Sequence, residues 1–184
     1  MTFVVIAIVV LLVVFGVILY NRLIRLRNKV EEAWAQIDVQ LQRRHDLIPN
    51  LVNTVKGYAA HEKSTLEEVT AARAAAVSAE GPAAAGTSEV ALTAALGRLF
   101  ALAENYPELK ADQGFRHLQT RISELEETLA DRRELYNESV NLNNIRLQTF
   151  PDLIVARMFE FRQASLLEFS AEQKRDVDVG ALFG

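Results

Sequence analysis

The stretch VEEAWAQIDVQLQRRHDLIPNLVNTVKGYAAHEKSTLEEVTAARAAA, from Val30 to Ala76, sets its apolar residues at alternating steps of four and three. Val30, Trp34, Ile37, Leu41, Ile48, Leu51 and Val55 fall on one line, and the same phase runs on through Tyr58, Thr65, Val69, Ala72 and Ala76. That spacing is the seam of a long helix packed against other helices, with a coiled-coil-like repeat. Two charged residues, Arg44 and Glu62, interrupt it. Pro49 lies inside it, and proline in a helix interior kinks or breaks the rod. The unbroken phase favours a kink. Asp46 as a cap, with Pro49 in the first turn, would instead open a new helix. The sequence leaves both open.

Upstream of the seam, residues 2–20 read TFVVIAIVVLLVVFGVILY, without charge or proline. At 1.5 Å per residue they reach roughly 28 Å, close to the ~30 Å hydrocarbon core of a bilayer. A soluble helix is rarely apolar on every face. A cleaved signal peptide would show basic residues before the run and a small-residue site after it, but the run opens Met-Thr-Phe and closes Leu-Tyr-Asn-Arg. The reading is an uncleaved single-pass anchor. Arg22, Arg25, Arg27 and Lys29 follow it, so the positive-inside rule predicts an N-terminus outside and a large domain in the cytoplasm, and the expected location is the cell (inner) membrane.

Downstream, residues 80–88 read EGPAAAGTS, which predicts a loop with Thr87 or Ser88 capping the next helix. That helix extends to about Glu104 on Val90, Leu92, Leu96, Leu99, Phe100 and Ala103, and Asn105-Tyr106-Pro107 ends it. Asp112 then caps a long helix whose seam is Phe115, Leu118, Ile122, Leu125, Leu129, Arg132, Tyr136, Val140, Asn143, Leu147 and Phe150. Pro151 stops it, and a short amphipathic helix follows from Asp152 to Glu168. No segment alternates with period two. The predicted fold is all-α: a transmembrane helix, residues 1–21, then an elongated antiparallel up-and-down bundle of three to four helices over 22–168, and a flexible polar tail over 169–184.

The block from Ala33-Trp34-Ala35-Gln36 through Gln40 to Glu62 closely resembles the LemA family. So do Glu104 to Ala111, Arg133 with Tyr136-Asn137, and Phe150-Pro151. The resemblance covers almost the whole chain. It implies a bacterial membrane protein with a short external N-terminus and a helical-bundle domain, and it assigns no enzymatic activity. One departure is Leu142-Asn143, where many members carry a second Tyr-Asn pair.

The residues give chemistry little support. Gly81 to Ser88 superficially fits a phosphate-binding loop, but Thr87 stands where the lysine is needed. His61-Glu62 opens like a zinc-protease helix, but Thr65 replaces the second histidine. The three histidines, at 45, 61 and 117, share no metal-ligand spacing and read as partly exposed polar residues. The absence of cysteine removes thiolate ligands, thiol nucleophiles and disulfides. No cofactor is expected. A net charge of −4 argues against nucleic acid as a partner.

The polar breaks in the seams say more. Arg44 and Arg132 either snorkel to water or pair, and an Arg44–Glu62 pair, within or between chains, would fix register. Asn143 breaks the second seam. Trp34, Tyr58 and Tyr136 read as core aromatics, whereas Tyr106, in a loop, is a candidate for surface recognition. His45, Asn50 and Asn53 flank Pro49 and mark a candidate partner patch. These features favour a membrane-anchored scaffold that recruits proteins or forms a homo-oligomer. The alternative is a sensor or accessory subunit carrying a signal along the first helix. The enzyme reading finds no catalytic constellation.

Overall fold

A computed structural model describes residues 1–167; the tail expected over 169–184 lies outside the described residues. Six helices occur among them and no strand: α1 (Thr2–Tyr58), α2 (Lys63–Val77), α3 (Gly81–Ala103), α4 (Pro107–Ala111), α5 (Gln113–Gln148) and α6 (Asp152–Met158). The all-α fold read from the seams is the fold found. The chain divides into two compact units. The first comprises Met1–Ile37 with Arg132–Leu166, and the second contains Asp38–Asp131, so α1 and α5 each contribute to both.

In the first unit α1 and α5 run antiparallel. Leu19 and Leu23 share a buried cluster with Leu147, Trp34 meets Tyr136 edge-on, and Gln36 bonds Arg132. The residue numbers fall on one helix as they rise on the other. Through residue 18 the anchor is exposed at nearly every position. A helix this long, this apolar and this uncovered satisfies its own backbone bonds and belongs in a bilayer, so the chain is membrane-associated through it. The helix expected over 152–168 is shorter than read: α6 stops at Met158. Glu160 takes a left-handed conformation (φ 54°), and Phe161 N–H reaches back to the Ala156 carbonyl at 2.9 Å, which closes the helix end. The chain then follows α5, held by Asn144, which accepts from Ala164 N–H and donates to the Ala164 carbonyl.

In the second unit Ile48, Leu51 and Val55 of α1 pack with Leu66 and Val69 of α2, Leu92, Leu96 and Leu99 of α3, and Phe115 and Ile122 of α5. Three expectations need correction here. The phase of the first seam does not survive to Ala76. α1 ends at Tyr58, residues 59–62 form a turn, and α2 begins at Lys63, so Ala59 is buried while Tyr58 is 41% exposed. Gly57, a poor helix former, weakens the last turn of α1. Tyr58 is therefore no core aromatic; its hydroxyl donates to Asp112, and that bond pushes its pKa up. Residues 81–88 are helix, not loop: Gly81 supplies a positive φ (78°), Pro82 sits in the first turn where its missing N–H costs nothing, and the alanines continue the helix. A short helix, α4, precedes α5 and buries Leu109. Asp112 caps α5 as read, accepting from Phe115 N–H at 2.8 Å, and that bond holds its carboxyl below the usual carboxylate range.

Pro49 neither breaks α1 nor leaves its carbonyl partner stranded. Lacking an N–H, it cannot bond the carbonyl four residues back, which belongs to His45. The Arg73 Nε–H of α2 donates to that carbonyl at 2.7 Å. Ile48 and Leu51, fully buried on either side of the proline, hold the helix in place. Arg73→Met should therefore destabilise the detergent-solubilised chain by about 1–3 kcal/mol, the cost of an unsatisfied buried acceptor. In a Pro49→Ala background the same change should cost less, because an alanine at this position supplies its own backbone N–H to the His45 carbonyl. Equal costs in the two backgrounds, measured by denaturant unfolding, would refute the assignment.

Candidate functional site

The polar residues cluster one turn before Pro49, inside the second unit. Arg44 is 3% exposed, and its Nη1 donates to Glu89 at 2.8 Å. Its Nη2 donates to Thr93 at 2.9 Å and to Glu126 at 2.6 Å. The other oxygen of Glu89, itself buried, lies 2.5 Å from Nε2 of His45. α1 thus offers a cation and an imidazole, α3 an acid and a hydroxyl, and α5 a second acid. Arg73 of α2 joins them through the His45 carbonyl. Glu126, 36% exposed, carries the network to the surface.

Such an array holds helices in register. Against an apolar core it adds little net stability, but any packing that separates its members leaves a charge buried alone. Among the described residues no group of three or more histidine or acidic side chains converges as metal ligands would.

The structure gives Arg44, His45, Glu62 and Tyr106 surroundings other than those read from the sequence. Arg44 does not snorkel and does not pair with Glu62; its partners are Glu89 and Glu126. Glu62 lies in the turn before α2 and accepts from the Tyr106 hydroxyl at 3.0 Å, a bond that raises the Tyr106 pKa. Tyr106, read as a surface residue, is half-buried against the core of the unit with its hydroxyl committed to Glu62. His45 is buried rather than partly exposed, whereas His61 and His117 are exposed. Asn50 and Asn53 do line the outer face beside Pro49.

In the first unit Arg132 bonds Gln36, and its Nε is buried without a partner among the described residues. Asn143 is buried beside Asn144, its amide donating to the Asn144 oxygen at 3.3 Å. Tyr136 lies in the core with its hydroxyl on the Ser165 carbonyl, and burial raises its pKa.

Glu89 is the residue that sequence reasoning missed. A signal existed: it is the sole charged residue between Gly81 and Gly97, a stretch of alanine, leucine and other uncharged residues. An isolated acid on an apolar helix asks for a buried partner. Arg44→Met should strand Glu89 and cost roughly 3–5 kcal/mol, while Arg44→Met with Glu89→Met should recover part of that loss. Chemical denaturation of both variants tests this; a double variant as weak as the single one would show that the charges are not coupled.

The LemA family profile matches residues 33–180. Magnetosome protein MamQ 2 of Paramagnetospirillum magneticum is 27% identical over 175 residues, covering 81% of this chain and 64% of that protein. Magnetosome protein MamQ of Magnetospirillum gryphiswaldense is 27% identical over 170 residues, 78% of this chain and 62% of its own length. The match therefore spans less than two thirds of these magnetosome proteins. Protein LemA of Metamycoplasma hominis is 26% identical over 166 residues, 88% of this chain and 74% of that protein. The profile takes in Arg44, His45, Pro49 and Glu89 together with the whole second unit up to Asp131, and on that match the chain belongs to the LemA family.

Proposed function

We infer that this protein is a membrane-tethered interaction module, a scaffold rather than an enzyme, which binds other proteins or further copies of itself beside the bilayer. The observation that carries this reading is on α5. Tyr136, Val140, Asn143 and Leu147 are buried, yet Leu135, Leu142 and Ile145 are 58%, 52% and 60% exposed. Steps of seven and three put those three on one stripe, the spacing by which a helix receives another helix. Scattered apolar residues need no explanation, but an aligned row does. The ionic groups of the second unit support the same reading, since Arg44 through both terminal nitrogens, His45 and Glu89 are bonded to one another and to neighbouring helices, with Arg44 Nε left buried and without a partner among the described residues. Tethering raises the effective concentration of neighbours, so a modest stripe suffices.

A photo-crosslinking amino acid at Leu142 should yield adducts heavier than the monomer in native membranes, and one at exposed Glu127 should not. Leu135→Glu with Ile145→Glu should abolish the adducts at unchanged helical content. Monomer alone at both positions would overturn the proposal.

The same reading puts the helical domain in the cytoplasm, supported by Arg22, Arg25, Arg27 and Lys29 directly after the anchor. The chain has no cysteine, so single introduced thiols report cleanly. A membrane-impermeant maleimide should label Thr2→Cys in intact cells and Ser78→Cys only after lysis. The reverse pattern would place the domain on the envelope side.

A further inference from the structure

The first unit presents two unlike concavities on either side of α6. One is an apolar groove of about 480 Å³ between the anchor and the tip of α6, bordered by Val9, Leu12 and Gly16 on α1 and by Val155, Met158 and Phe159. Its anchor side belongs to the membrane-spanning run, so the groove opens at bilayer depth. Gly16 lines it without a side chain, beside open space. Met158 and Phe159 are 67% and 54% exposed, an arrangement that water disfavours and hydrocarbon accepts. Tyr20 packs against Phe159 with the rings tilted by 58° and their centroids 4.8 Å apart, at the level where aromatic side chains mark the membrane interface.

The second concavity is polar. Gln148, Arg157, Glu160, Arg162 and Gln163 line it together with apolar residues of α5 and α6 and Phe161. Neither Arg157 nor Arg162 forms an ion pair with a carboxylate among the described residues, and both are exposed. Two guanidiniums and two amides against one carboxylate make a donor-rich site that suits a phosphate.

We propose that the first unit binds phospholipids of the bilayer on both sides of α6, an acyl chain lying in the groove beside Gly16 and the phosphate of an anionic headgroup lying between Arg157 and Arg162. Continuity of the groove with the spanning helix selects lipid as the occupant, and the arginines select an anionic headgroup. The turn at Glu160 returns the chain from the lipid-facing tip, so α6 dips into the interface without crossing it. The inference rests on the bilayer placement of residues 2–20 and is independent of which side holds the helical domain.

The test uses the full chain in phosphatidylcholine vesicles with a bimane probe on single cysteines at Leu12, Met158 and Ser78, and a nitroxide quencher on the lipid acyl chains. Leu12→Cys and Met158→Cys should be quenched and Ser78→Cys spared. Carrying the nitroxide on phosphatidylglycerol instead, at equal mole fraction, should show that lipid enriched at Met158→Cys by roughly fivefold or more, the preference expected per arginine near an anionic headgroup. Arg157→Gln with Arg162→Gln should remove the enrichment and leave the quenching by phosphatidylcholine. Quenching at Leu12 with none at Met158 would refute the lipid site while leaving the anchor intact. No quenching at Leu12 would refute the bilayer placement itself. Enrichment that survives the double substitution would refute the phosphate assignment.

Discussion

The guanidinium of Arg44, buried among Glu89, Thr93 and Glu126, constrains the second unit more tightly than any apolar contact does. Apolar packing is non-directional and tolerates sliding of one helix along another. A charge bonded at 2.6–2.9 Å to groups on two other helices does not, because a shift of one turn would leave it unpaired in a low-dielectric interior. His45 follows directly in sequence and extends the constraint twice, through its ring to Glu89 and through its carbonyl to Arg73. That carbonyl is available only because Pro49 has no N–H to give it. The segment RRHDLIPN therefore works as one device. Proline frees an acceptor on α1, arginine of α2 occupies it, and the neighbouring cation and imidazole gather α3 and α5. A residue that would ordinarily break a helix here supplies a point of attachment between two.

Much of the architecture was legible in the sequence, for reasons of period and length. The apolar phase from Val30 to Val55 matches the buried face of α1, and that from Phe115 to Leu147 matches α5, because a helix that must bury one stripe has to repeat near 3.6 residues. The errors have physical causes. The phase reads on through Tyr58 and Glu62 since α2 resumes it after four residues of turn, and a period cannot register a gap about as long as itself. Residues 80–88 misled because glycine and proline mark loops and helix starts alike; what decided was the alanine run after Pro82. The helix after Pro151 was overextended because its apolar residues continue past Met158, while the left-handed turn at Glu160 leaves no mark in a composition.

The polar network was half legible. Arg44, Glu62, Arg132 and Asn143 were visible as breaks in a seam, but periodicity says only that a residue points inward, never which helix it meets. The pairing of Arg44 with Glu89 rather than Glu62 depends on α2 and α3 forming a hairpin through the turn at residues 78–80, with Arg98 of α3 meeting Glu68 of α2 on its surface. Asn144, which braces the chain after α6 by bonding both backbone groups of Ala164, gave no signal at all. Its work is to imitate a neighbouring backbone, and nothing in a helical pattern announces that.

The two units differ in what they leave unpartnered, and that difference carries the functional argument. In the second unit the charged core residues are bonded to one another, and the seam residues of four helices close over a single apolar core. In the first, whole rows stay uncovered: the anchor, the tip of α6, and the stripe Leu135, Leu142 and Ile145. These rows need different surroundings. The anchor is apolar on every face and long enough for hydrocarbon. The stripe is narrow, flanked by polar residues on a helix that continues into a folded core, and is suited to another helix rather than to lipid. The tip of α6 lies between these cases, with phenylalanine and methionine beside arginine, the composition of an interface rather than of either bulk phase. One unit therefore presents, within a short length of chain, surfaces graded from hydrocarbon through headgroup to protein. That gradation is what the proposed role of holding other molecules at a membrane would draw on.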